Sequence, residues 1–405
     1  MDIKPIFLGL KQNKFMAMLM IIQIAFTMGV LSSSVLVATT TLQEWNKPSG
    51  IPHEDIVRIS PEFFDDSQDV GQAMFNDLKR VKEIPSVINA APSNAVPFTA
   101  ENMIDVYLAT EEDAQGFKTV VFESDEQIID VLKLSLVDGR LITASDVVKG
   151  DIESTPESAA EVMISQDMAQ VLFGSGSAIG KTIWLAKNAD PVKVIGVYSN
   201  FMTGERLNGR GKSYQSIIRP QVKWSQTQQP HYLMRVEQGT AVALLEDIID
   251  VFYLERGRYI NASELLKRTQ KRMYDGRGSR ALTFLVLSVV LLIITGLGIT
   301  GLTAFQVTQK RKQIGTRRAL GAKKSDIMRY FLTENSILTL IGLVIGVAVT
   351  LSITFELSEQ AGQNFFNLSI LLMTALLLWV VNILAVWFPA KRAANIAPAI
   401  VTRSA

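Results

Sequence analysis

Four stretches of the chain carry no charged side chain: residues 15–43, 281–309, 335–355 and 361–390. A helix of about 20 apolar residues crosses the hydrocarbon of a bilayer, and each stretch is at least that long. The pattern therefore predicts a membrane protein with four transmembrane α-helices. In hydrocarbon the backbone must satisfy its own hydrogen bonds, so Gly29, Gly296, Gly298, Gly301, Gly342 and Gly346 are read as helix members, with close helix packing as their role. The first stretch follows Lys4, Lys11 and Lys14, as a secretory leader would. It far exceeds a leader's apolar core of about 7–15 residues and is read as a retained helix.

Between the first and second stretches the period changes. DIVRIS (55–60), MIDVYLA (103–109), FKTVVFE (117–123), EVMIS (161–165), KTIWLA (181–186), VKVIGVYS (192–199) and HYLMRVE (231–237) read as strands. VGQAMFNDLKRVKEI (70–84), SDEQIIDVLKL (124–134, capped by Ser124), QDMAQVLF (166–173) and TAVALLEDIIDVFYLE (240–255) read as helices. A basic helix begins near Ser263, and 200–214, rich in Gly, Ser, Arg and Asn, reads as an exposed loop. The expected fold is a large α+β extracytoplasmic domain inserted between helices 1 and 2.

The expected organisation is a cytoplasmic amphipathic segment at 1–14, helix 1 at 15–43, the inserted domain at 44–279 and helix 2 at 280–308. A cytoplasmic stalk at 309–332 follows, then helix 3 at 333–356, a short loop at 357–364, helix 4 at 365–390 and a cytoplasmic tail at 391–405.

Charge orients this arrangement. The loop after helix 2 carries Lys310, Arg311, Lys312, Arg317, Arg318, Lys323, Lys324 and Arg329 against Asp326 alone, while the loop around Glu356 and Glu359 has no Lys or Arg. Basic loops stay in the cytoplasm, which places both termini there and the large domain outside. The basic run from Lys267 to Arg280 on the outer side opposes this, although long translocated domains largely escape the rule. Through Arg280 the inserted domain holds 34 acidic and 26 basic residues, whereas the whole chain is +1. The compensating positive charge lies on the inner face and suits anionic lipid or an acidic partner.

Candidate chemistry is sparse. The chain has no cysteine, and its two histidines, His53 and His231, fall in no metal-ligand spacing. GSGSAIGKT (174–182) resembles a phosphate-binding loop, but that motif needs glycine five places before Gly180, where Ser175 stands. A strand-like run also follows where the motif requires a helix. The segment reads as a turn between a helix and a strand, so no catalytic residue, cofactor or metal ligand is assigned.

The informative stretch is QKRKQIGTRRALGAKKSDIMRYFLTEN, 309–335. Residues 309–320 can extend helix 2, Gly321 and Ala322 permit a turn, and Ser325 and Asp326 can start a short helix near 323–332. That helix would present Ile327, Met328, Phe331 and Leu332 to a membrane surface or a partner.

IGTRRALGAKKSDIMRYFLTENSILTLIGLVIG closely resembles the signature of the MacB and FtsX permease family, the membrane subunits of type VII ABC transporters. The stretches 132–147 and 161–201 are similar to its periplasmic core, and PAKRAANIAPAIVTR (389–403) is similar to its closing motif. The resemblance implies an ATP-driven export permease that is not itself an enzyme. ATP-Mg would be used by a separate ABC ATPase subunit, beside a second permease copy or paralogue. Gly315, Arg317, Arg318, Ala319, Leu320, Gly321, Ala322, Lys323, Lys324, Asp326 and Ile327 would couple to that ATPase. The resemblance also implies a bacterial inner membrane location, with a periplasmic adaptor and a TolC-like outer-membrane channel as further partners. The cargo would be a peptide, an antibiotic or a lipid-linked molecule. FtsX-like signalling to cell-wall hydrolases and lipoprotein release are the alternatives. Gln309 and Gln313 stand where the family usually has glutamate.

Overall fold

A computed structural model describes residues 14–64, 68–99, 101–111, 114–187, 189–204, 214–225, 230–254, 256–361 and 366–396. The chain divides into two compact units, Lys47–Gly276 and Met1–Asn46 with Arg277–Ala405. The expected segment 1–14 lies almost entirely outside the described residues, as does most of the tail.

The chain opens with α1 (Lys14–Trp45), followed by the domain: β1 (Ile56–Phe63), α2 (Val70–Lys82), β2 (Val87–Ser93), β3 (Met103–Val106), β4 (Phe117–Ser124), α3 (Ile128–Val131), β5 (Leu136–Gly139), β6 (Val148–Asp151), β7 (Glu161–Ser165), α4 (Gln166–Phe173), β8 (Thr182–Trp184), β9 (Pro191–Tyr198), β10 (Ser216–Trp224), β11 (His231–Val236), α5 (Ala241–Tyr253) and β12 (Arg258–Leu265). The strands form one sheet in the order β12-β1-β11-β2-β4-β10-β7-β9-β5, with β3, β6 and β8 paired beside β4, β10 and β9. Most pairs are antiparallel; β10 runs parallel to β4 and β6, and β7 to β9.

Alternation along the strands sorts side chains between two faces. Val57 and Ile59 of β1 and Tyr232 and Met234 of β11 pack with Met74 and Val81 of α2 and Ile248 and Phe252 of α5. Ile56 and Leu233, on the opposite face, join a core around Phe122, Tyr198 and Phe201. The period-2 pattern on 55–60 and 231–237 and the period-3.6 pattern on 70–84 are thus two halves of one packing arrangement.

Two local expectations change. Ser124 does not cap a helix: it ends β4, where its Oγ donates to Pro92 O at 2.5 Å, and α3 starts after Gln127 with no side-chain cap. Nor is all of 200–214 an exposed loop. Phe201, Met202 and Thr203 are buried, and Phe201 packs edge-on to Phe122 at 5.2 Å. Residues 205–213 lie outside the described residues.

At the glycine-rich segment, Gly174 (φ 61°) caps α4 and Gly180 (φ 78°) turns the chain into β8. The N–H groups of Gly174, Gly176, Gly180 and Lys181 donate to Gln170, Phe173, Val194 and Ala178 carbonyls. Amides so committed cannot converge on a phosphate.

The second unit holds α1, α6 (Leu266–Gln309, of which Ala281–Gln309 is apolar enough to span) from Arg277 onward, α7 (Arg311–Ala319), α8 (Lys324–Ala361) and α9 (Leu368–Ala394). Among the described residues, four helices, in α1, α6, α8 and α9, are long and apolar enough to cross a membrane. Met20, Ile24 and Met28 of α1 share a core with Ile299 of α6, Phe331 and Leu338 of α8, and Leu378 and Val386 of α9. Gly342 and Gly346, one helical turn apart, bring α8 close to α1. A Cβ on Gly342 would lie 2.9 Å from Ile24 Cβ, and one on Gly346 would lie 2.7 Å from Met28 Cβ. Small residues at this spacing permit backbone approach in hydrocarbon. Gly296 and Gly301 differ from expectation, since a Cβ there would meet open space. Hydroxyl pairs also cross between helices: Thr27 with Thr295 at 2.8 Å, and Ser32 with Thr374 at 3.0 Å.

Candidate functional site

The inserted domain offers little catalytic chemistry. Among the described residues, no group of three His, Asp or Glu side chains could hold a metal ion. His53 Nδ1 meets Ser49 Oγ at 3.0 Å, and its ring lies edge-on to Phe98. His231 Nδ1 meets Ser60 Oγ at 2.8 Å, and its Nε2 lies 3.6 Å from Glu101. This Ser–His–Glu series lacks a free nucleophile, because Ser60 is buried and its Oγ already accepts from Arg58 Nε at 2.9 Å.

Burial and, secondarily, the charge of Glu126 push Asp125 up to about 6. Glu123 is also raised, chiefly by burial. For Asp125 the folded value exceeds the usual 3.8, so the native state binds the proton more tightly and stability falls as pH rises from about 4 to 6. An asparagine side chain in its place would keep the acceptor that Asp125 Oδ1 offers Gln127 N and carry no charge. Thermal unfolding of the full chain should therefore show Asp125→Asn more stable than wild type by about 1–3 kcal/mol at pH 7, and equal to it near pH 4.

The loop between the second and third spans is built differently. Helix α6 ends at Gln309, Lys310 breaks the helical path, and α7 follows; Lys310 O still accepts from Ile314 N at 2.9 Å. At the far end of α7, Gly321 N donates to Arg318 O at 3.2 Å and Ala322 N to Arg317 O at 3.0 Å. This pair of bonds is a Schellman motif, whose turn residue needs a left-handed backbone; Gly321 has φ 98°. Arg318 Nη1 adds a bond to Ala322 O at 3.1 Å. Helix α8 then starts at Lys324. Asp326, in its first turn, accepts from Lys323 N at 2.9 Å and places a negative charge at the positive end of the helix dipole.

The expected separate helix near 323–332 is instead the first part of α8, which continues unbroken through the third span. The short helix between the spans is α7. The expected apolar docking side is also turned inward: Ile327 and Phe331 are buried and Met328 and Leu332 partly so, in the core that includes Ile314 and Val386. The reason is packing, because α7 folds back along α8 and Ile314 needs a partner.

What remains outside is the tip. Arg317, Ala319, Leu320, Gly321, Lys323, Lys324 and Asp326 are exposed, Gly315 and Ile327 are buried, and Arg318 and Ala322 are intermediate. Leu320 is 83% exposed, the most exposed of the large hydrophobic residues described. Gln309 and Gln313 are exposed.

Sequence reasoning missed the groups that tie the loop down. Lys310 Nζ lies 3.0 and 3.2 Å from the two carboxylate oxygens of Glu334, whose side chain is 1% exposed. Lys310 also lies over the Tyr330 ring at 5.3 Å, and the Arg317 guanidinium over the same ring at 5.3 Å. The available signal was Glu334 itself, a carboxylate directly abutting the uncharged run 335–355.

The family of MacB-like periplasmic core domains matches residues 17–251, more than half of the chain, and the FtsX-like permease C-terminal family matches 285–398, which contains the whole loop. The chain belongs to the MacB/FtsX family of ABC transporter permeases. Among its relatives, the macrolide export ATP-binding/permease protein MacB of Chromobacterium violaceum is 27% identical over 58% of this chain and 37% of its own length. The probable syringafactin export ATP-binding/permease protein SyfD of Pseudomonas syringae is 28% identical over 75% of this chain and 44% of its own length. The uncharacterized ABC transporter permease YknZ of Bacillus subtilis is 23% identical over 80% and 77%. The chain thus spans under half the length of these MacB and SyfD relatives. The periplasmic region of MacB from Actinobacillus actinomycetemcomitans aligns with 56% of this chain at 14% identity and a TM-score of 0.33.

Proposed function

We propose that this MacB/FtsX-family permease is the membrane subunit of an ATP-driven exporter and receives mechanical work from a separate ABC ATPase at the α7–α8 tip. The supporting observation is Leu320, a large apolar side chain held out by a left-handed glycine turn and bordered by exposed Arg317, Lys323 and Lys324. An exposed apolar anchor with a basic rim suits an apolar socket edged by acidic side chains.

In this reading the tip and both termini are cytoplasmic and the α+β domain is periplasmic, with the inner membrane between them. ATP-Mg is bound and hydrolysed by the partner. Closure of two ATPases against two permeases, identical or paralogous, displaces the tip; helix α6, a single helix from Leu266 to Gln309, carries the displacement outward. The domain then expels an amphiphilic cargo, a peptide, an antibiotic or a lipid-linked molecule, with a periplasmic adaptor and a TolC-like channel. The names of MacB and SyfD support export over signalling.

The test reconstitutes the permease with its ATPase in lipid. Wild type should raise ATP turnover above that of the ATPase alone, and Leu320→Asp should weaken association by about 2 kcal/mol or more, the range of an anchor residue, with loss of stimulation. Undiminished stimulation by Leu320→Asp would reject the tip as the contact.

A further inference from the structure

A push on α7 reaches the spans only if α7 cannot bend away at its junction with α6. Lys310 is that junction, lying between Gln309 and Arg311 with neither helix continuing through it. Apolar and ionic contacts both join this segment to α8. Ile314, Ile327 and Phe331 pack in a shared core, but apolar attraction is non-directional and tolerates sliding. The Lys310–Glu334 pair is directional: one ammonium meets both carboxylate oxygens, at 3.0 and 3.2 Å, with the lysine side chain 13% and the glutamate 1% exposed. Pulling it apart would strand a carboxylate at the edge of an uncharged span, so the pair resists separation far more than an exposed one would.

We propose that the Lys310–Glu334 ion pair is the pin that makes α7 and the third span move as one piece, so that both are positioning residues for coupling. The stacking of Arg317 on Tyr330, one turn before Glu334, braces the same joint farther along α7. The proposal rests on the reading of the tip as the ATPase contact and adds to it a specific route: force enters at Leu320 and is handed to α8 at Glu334. The pin leaves the tip itself untouched, so loss of the pin should separate ATPase binding from ATPase stimulation.

The experiment uses the full permease reconstituted with its ATPase, reading association and stimulated ATP turnover separately. Lys310→Met and Glu334→Gln should bind the ATPase as wild type does and lose stimulation by about tenfold or more, the scale of a coupling free energy between sites. Lys310→Arg should retain stimulation. The reciprocal exchange, Lys310→Glu with Glu334→Lys, should recover most of it, which a residue needed only for folding would not do.

The pin is overturned if Lys310→Met or Glu334→Gln stimulates fully, or if the exchanged pair inserts normally and stays as low as the single variants. Should a single variant fail to insert, Lys310→Arg and the exchanged pair decide alone. Failure of wild type to bind or stimulate the ATPase would reject the coupling reading itself. Full stimulation by Lys310→Met, with Leu320→Asp silent, would reject the pin and keep that reading.

Discussion

Replacing Arg258 with methionine should destabilise the inserted domain by about 3–5 kcal/mol, the largest stability effect expected in this chain. Asp77 of α2 is fully buried. Its carboxylate accepts Arg258 Nη2 at 2.8 Å, a second short bond from Nη1, and the Tyr232 hydroxyl at 3.1 Å. Arg258 Nε also donates to Phe252 O at 2.8 Å, and the guanidinium lies 5.4 Å from the Phe63 ring centroid and 5.3 Å from that of Phe252. The Asp77–Arg258 pair thus joins β1, α2, α5, β11 and β12. Without it the carboxylate remains in an apolar core with its counter-charge gone. A pair converted to apolar residues, Asp77→Leu with Arg258→Met, should recover much of the loss, because burying two charges offsets most of what their attraction provides. Thermal unfolding of the full chain in detergent checks both: the single variant should unfold about 10 °C lower, and a shift of under about 2 °C would show that the pair contributes little.

Replacing Gly321 with proline should abolish ATPase stimulation while leaving membrane insertion unchanged. Proline fixes φ near about −65° and has no N–H, whereas Gly321 sits at φ 98° and donates to Arg318 O. The Schellman turn cannot form, and Leu320 loses its position at the tip. The site is exposed and a Cβ there meets nothing within 4 Å, so the spans need not repack. Gly321→Asn should largely retain stimulation, since asparagine tolerates the left-handed region. The rates of ATP turnover with each variant, at matched membrane content, measure this; full stimulation by the proline variant would show that the turn is dispensable. Asp326→Lys removes the cap on Lys323 N and should act in the same direction, more weakly.

The four spans, the inserted domain and the position of the loop could be read directly from the sequence, because uninterrupted apolar runs and the two backbone periods are strong signals. Sequence periodicity missed β2, β5, β6, β10 and β12; of these, SIIRPQVKW (β10) contains a proline, and RYINASEL (β12) lacks alternation. It gave no sign of Asp77's role, although an aspartate in line with Val70, Ala73, Met74 and Val81 on the buried face of α2 calls for a buried cation. In the loop, Gly321 and Asp326 carried their roles openly as turn and cap. The inward turn of Ile327 and Phe331 did not, because amphipathic spacing tells which residues share a face and not what that face meets. Lys310 and Glu334 are separated by 24 positions and meet only because α7 folds back on α8, a reversal that no local pattern encodes.

The proposed coupling depends above all on contact between an ATPase and the α7–α8 tip. A photo-crosslinking amino acid placed at position 320 in cells tests that contact most directly, with position 328 on the inward side of α8 as the control. An adduct should form between position 320 and an ABC ATPase subunit, and none from position 328. Adducts from position 320 only to lipid or to unrelated proteins, with the ATPase expressed, would contradict the contact.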